Sequence, residues 1–222
     1  MKEEEQAMCA ASGIEYIEIP VAFDAIAIVV NQDNPLTSIT TEELKMMWAP
    51  EADGTITRWN QVNSSWPDLE LSMYGPGADS GTFDYFTDQI LGEEGASRAD
   101  YTPSEDDNVL VQGVANDPGA IGYFGLSYYL ENQDQIKALA VDDGNGAVVP
   151  SAETVNDGTY SPLSRRIFIY VNKQSAMEKP EVKEFVNYYL DNAQELVPET
   201  GSVALPETEY AQAKQDFEAF AQ

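Results

Sequence analysis

Residues 25–30 read AIAIVV, six apolar positions in a row, four of them β-branched. The run is too short for an independent helix and shows no alternation. It therefore predicts a strand buried on both faces, which requires structure packed on either side of its sheet. The surrounding text supplies that structure. The upstream IEYIEIPVAF predicts β-rich chain, and TTEELKMMW predicts a helix with Thr40 and Glu43 at capping-box spacing. LELSMY alternates as a short strand, TFDYFTDQIL places Phe83, Phe86 and Ile90 on one helical face, and SEDDNVLVQGVAND predicts a helix entered at Ser104 and Asp107. GAIGYFGLSYY, IKALAV and RRIFIYVN are further strand candidates. KPEVKEFVNYYLDNAQELV is an amphipathic helix with proline at its start, and a last helix lies near Glu207–Phe220. Strands alternating with helices indicate an α/β protein.

Composition then removes whole classes of function. Acidic side chains number 39 against 11 basic, a net charge of -28, which argues against a phosphate-backbone binder of nucleic acid. The chain has no histidine, which excludes Ser-His-Asp chemistry and histidine metal sites. Its single cysteine, Cys9, has no internal partner for a disulfide and is expected as a buried thiol on the first helix. No stretch approaches the ~18 consecutive apolar residues of a membrane span. The opening MKEEEQAMC is acidic where a secretion signal would be basic and then apolar.

One stretch is richer than a turn needs. MYGPGADSGTFDYF, residues 73–86, joins a predicted strand to a predicted helix through two glycines and a proline. Small hydroxyl residues then stand at the helix start. Helix N-termini expose unpaired N–H groups and carry partial positive charge. Gly81 would let a ligand approach the backbone, and Ser80 and Thr82 would add hydroxyl donors, so the arrangement can hold an anion without a lysine or arginine of its own. Plain helix capping by Asp79 or Ser80 explains the same residues. No lysine follows the glycine, so this is not a nucleotide-hydrolysing phosphate loop.

Taken together, YGPGADSGTFDYF, SEDDNVLVQGVA, GAIGYFGLSYY and YSPLSRRIFIYV resemble, in that order, the phosphate-binding protein of the bacterial phosphate-specific ABC importer. PVAFDAIAIVVN and LTSITTEELKMMW fit the same family, and the likeness runs through nearly the whole chain. The resemblance implies a two-lobed periplasmic-binding-protein type II fold with an incomplete first lobe. Residues 1–31 and 151–222 would form that lobe, and residues 32–150 the second. It implies phosphate ligands at Ser80, Gly81 and Thr82, with Asp79 orienting the loop behind them. Family members often carry an arginine just before this segment, where Gly75, Pro76 and Gly77 stand here. The cation must then come from elsewhere or be absent. Arg165 could reach an anion, although an ion pair at the crossing between lobes accounts for it more simply.

The same resemblance implies inorganic phosphate and an ABC-type membrane permease as partners, a monomer, no cofactor, no metal and no catalytic residue. It implies a periplasmic or cell-surface location. The helix KEEEQAMCAASG would follow an earlier section that carries the signal peptide and the other lobe's ligands, so Met1 reads as an internal methionine. Binding of another oxyanion such as sulfate, a phosphatase activity, or an adhesive or sensory reuse of the fold stay open at this point.

Overall fold

The computed structural model describes residues 1–222. The chain forms two compact units, one of residues 1–23 and 166–222, the other of residues 24–165. It passes between them at Phe23–Asp24 and Arg165–Arg166, earlier and later respectively than the expected crossings at 31/32 and 150/151. Residues 24–31 stay with the second unit because they are a central strand of its sheet. The Tyr160 hydroxyl also donates to the Ile26 carbonyl at 2.7 Å, which ties residues near 160 to the same strand.

In the second unit the strand Tyr16–Asn31 contributes its Ala25–Asn31 end, buried throughout as its sequence demands. It runs antiparallel to Ala120–Gly125, with Ile26 opposite Gly125 and Val30 opposite Ile121, and antiparallel to Ile136–Ala138 on its other edge. Ala120–Gly125 is flanked in parallel by Ser72–Gly75, which pairs in parallel with Thr102–Pro103. A separate parallel pair joins Ser38–Thr40 to Ala140–Asp142. The helix Asp107–Ala115 lies on this sheet at close range: a Cβ at Gly113 would collide with the Tyr74 ring. Trp48 and Trp59 are fully buried anchors of this unit, and Trp66 packs edge-on against Trp59. Arg98 is also buried, donating to the Met47 and Ile56 carbonyls and to Asp100 at 2.7 Å.

The capping box expected at Thr40 is present: Glu43 N–H donates to Thr40 Oγ1 at 3.1 Å, and Thr40 N–H donates to Glu43 Oε2 at 2.9 Å. The helix at 107–115 is capped differently from the expectation. Asp106 accepts from Asn108 N–H at 3.0 Å, while Ser104 Oγ accepts from Asp106 N–H and shapes the approach to the cap.

The first unit is built from the Tyr16–Phe23 part of the long strand, the strand Ser164–Asn172 from Arg166 onward, and helices. Tyr16 and Tyr170 meet edge to face at 5.7 Å, and Phe23 and Val203 exchange backbone hydrogen bonds at 2.8 Å. The helix Pro180–Glu199 buries Val186, Leu190, Ala193 and Val197, which repeat at helical spacing, and packs on Glu207–Phe220, which buries Tyr210, Ala213 and Phe217. Phe185, Tyr188 and Leu196 face outward beside a groove of about 430 Å³. The helix Glu3–Ala11 buries no residue, so Cys9 is half-buried rather than enclosed in a core as expected.

Candidate functional site

The strand Ser72–Gly75 delivers the chain at its C-terminal end to the candidate segment, residues 76–82. Gly75 is required by close packing, since a Cβ there would lie 2.9 Å from the Tyr123 ring and 3.4 Å from Trp48. The following loop is pinned at three points. Ser104 N–H donates to Gly75 O at 3.1 Å, the Tyr101 hydroxyl donates to Pro76 O at 2.9 Å, and Ser80 N–H donates to Gly77 O at 3.1 Å. A Cβ at Gly77 would meet the carboxylate of Glu105, an exposed and flexible side chain that lies over this part of the loop.

The helix begins at Gly81 with Ser80 as its cap. Ser80 Oγ accepts from Thr82 N–H at 3.2 Å, and Asp84 N–H donates to Ser80 O at 3.1 Å. The capping hydroxyl is spent only as an acceptor, and its proton remains available to donate. Gly81 N–H and the Thr82 hydroxyl make no hydrogen bond within the protein. Two hydroxyls and one backbone N–H thus stand at one helix start with donor capacity left over, and Gly81 between them is exposed. The cap uses the Ser80 oxygen as an acceptor and leaves the Ser80 and Thr82 hydroxyl protons and the Gly81 N–H outside it. Asp79 is exposed and its carboxylate accepts no hydrogen bond from the loop.

The inner face of this helix fixes its position. Phe86 stacks on Tyr123 with ring centroids 3.9 Å apart and meets Trp48 edge-on at 5.6 Å, while Phe83 is buried beside them. Beyond Phe86 the helix widens to π geometry over Thr87–Leu91, which the sequence pattern did not predict. Thr87 is fully buried, donates to the Phe83 carbonyl at 2.8 Å and accepts from Gly95 N–H at 2.8 Å. Its hydroxyl competes for carbonyls that a regular helix would reserve for backbone N–H groups.

A cation stands beside the segment. The Arg165 guanidinium is 3.0 Å from Asp24 Oδ2, donates to the Gly81 carbonyl at 3.3 Å, and lies 4.5 Å over the Tyr85 ring. Tyr85 donates its hydroxyl proton toward the Pro162 and Ser164 carbonyls, at 2.6 and 2.8 Å. Burial pushes its pKa up to about 12, with Arg165 acting in the opposite direction, so the ring stays a neutral donor. The ion pair expected of Arg165 is present, and its carboxylate partner is Asp24, a single charge set in the apolar text AFDAIAIVV. That isolated charge is the one signal the sequence offered for the pairing.

Three likenesses to known proteins bear on this site. Protein SphX of Synechococcus elongatus is 53% identical over 218 residues, covering 98% of this chain and 64% of that protein. Phosphate-binding protein PstS of Staphylococcus saprophyticus is 33% identical, covering 96% of this chain and 65% of the relative. The crystal structure of a possible phosphate binding protein from Planctomyces limnophilus superposes with a TM-score of 0.89 at 37% identity, over 100% of this chain and 78% of that one. The chain thus spans slightly less than two thirds of the length of these two curated relatives. The PBP superfamily domain matches residues 1–193, and the α/β order of strands and helices agrees with it. This chain belongs to the PBP superfamily.

Proposed function

We propose that this chain is the anion-capturing part of an extracytoplasmic solute-binding protein that takes up inorganic phosphate and hands it to an ABC-type membrane permease. The two units would be the lobes of that protein, and Ser80, Gly81 and Thr82 the phosphate ligands contributed by the second. The observation that carries this reading is the start of the helix at Gly81, where two hydroxyl residues and a free backbone N–H are contiguous a few residues after a parallel strand. Tetrahedral oxyanions are bound by such groups, which offer hydrogen bonds without requiring a net positive protein. That suits a chain of charge -28. The descriptions of the PstS relative and the Planctomyces structure support phosphate as the ligand. In this reading the protein is a monomeric carrier with no catalytic residue and no cofactor, and it works at the periplasmic or cell-surface side of the membrane.

Amide chemical shifts of the labelled 222-residue chain provide the test, with phosphate, sulfate and chloride titrated at fixed ionic strength. Phosphate should shift the Ser80, Gly81 and Thr82 amides along a saturating curve that chloride does not reproduce. Thr82→Ala, which removes one donor to a charged ligand, should weaken the curve by about 1.5–3 kcal/mol. Identical responses to phosphate and chloride, or saturation at an unrelated set of amides, would remove the assignment. A sulfate response equal to that of phosphate would make this a general oxyanion site.

A further inference from the structure

A doubly charged anion at Gly81 would sit close to the carboxylates of Asp24 and Asp84. The helix start offers only about half an elementary charge in compensation. The loop from Gly75 to Asp79 contains no basic side chain. The second unit has five cations in all: Lys45, Arg58, Arg98, Lys137 and Arg165. Arg58 is paired with Asp68, Arg98 is buried on Asp100 and main-chain carbonyls, and Lys137 is bonded to the Asn34 carbonyl. Arg165 alone among the five donates to the Ser80–Thr82 segment.

We propose that Arg165, held by Asp24 and Tyr85, is the cation of the anion site and binds the ligand directly through its free guanidinium edge. The inference rests on the site reading given above and adds a residue to it. Asp24 engages Nε and Nη2 through one carboxylate oxygen, at 3.1 and 3.0 Å, and Nη2 also reaches the Gly81 carbonyl. Nη1 is left with both of its N–H groups unpaired within the protein. The Tyr85 ring beneath the guanidinium restricts its plane, and the two carbonyls that accept from Tyr85 restrict the ring. The side chain is 41% exposed, so an anion can approach it from solvent. A planar guanidinium fixed on one edge and open on the other is suited to an oxyanion, because its donors form a rigid fork. The Asp24 pair is thus an orienting contact, and the arginine's remaining donors are the functional ones.

Two measurements test this. In the wild-type chain, phosphate should slow modification of Arg165 by phenylglyoxal, read by mass spectrometry of the peptides, while Arg58 reacts at an unchanged rate. In Arg165→Gln, the phosphate dependence of the Ser80–Thr82 amide shifts should weaken roughly ten- to a hundredfold, with Arg165→Lys in between. If Arg165→Gln does not fold, the protection experiment decides alone. Phosphate-induced shifts with no protection of Arg165 would overturn this inference and leave the site reading standing. If phosphate shifts none of these amides in the wild type, both fall together.

Discussion

Asp107 sits at the first position of its helix, half-buried, with Asp106 and Glu105 beside it. Burial first, and then the two neighbouring carboxylates, push its pKa up to about 6. A carboxyl raised above its unfolded value binds its proton more tightly in the native state, so its contribution to stability falls as pH rises from about 4 to about 6. Asp107→Asn should therefore stabilise the chain at neutral pH by about 1 kcal/mol, well below the full value of the shift because water still reaches the group. The gain should vanish as the pH approaches 4, and paired thermal melts across that range would show it. A constant difference at every pH would mean that packing, not charge, separates the two chains. At this scale the sequence was partly legible. Ser80, Gly81 and Thr82 are contiguous, so the helix start that they form was legible from local sequence alone. Asp24 and Arg165 meet only after the fold places them side by side. The cap at Asp106 was misplaced onto Ser104 because three neighbouring polar residues could each have served, and backbone angles decide among them.

Among the elements, the helix Pro180–Glu199 shows most clearly what periodicity reveals and what it misses. Its apolar residues fall on more than one face, so the pattern predicts an amphipathic helix without saying which stripe is covered. The structure buries Leu190 and leaves Leu196 42% exposed. Leu190→Ala should then cost about 2–5 kcal/mol through lost burial and the cavity left behind. Leu196→Ala should stay within about 0.5 kcal/mol. Urea unfolding followed by far-ultraviolet circular dichroism would compare them, and equal losses would show that the assigned faces are wrong. The strand at 25–30 was legible for the opposite reason: with every position apolar, no choice of face arises. The π segment at Thr87–Leu91 left no trace in the pattern, because apolar periodicity does not register the hydrogen bonds of a buried hydroxyl such as Thr87.

At the scale of the molecule, the excess of 39 acidic over 11 basic side chains acts on every part of the chain at once. Self-repulsion among them opposes folding, and salt screens it over a distance of about 10 Å at 0.1 M. The melting temperature should rise between dilute buffer and about 0.15 M salt, and a flat curve would mean that the charges are already compensated. How that melt is followed matters, because the three tryptophans, Trp48, Trp59 and Trp66, all belong to the unit of residues 24–165. The other unit contains tyrosines and phenylalanines but no indole. Tryptophan emission is therefore a local gauge, sensitive to the packing behind the helix at Gly81 through Trp48 and Phe86, and blind to the Pro180–Glu199 and Glu207–Phe220 helices. A loss of order confined to those helices would pass without any change of colour.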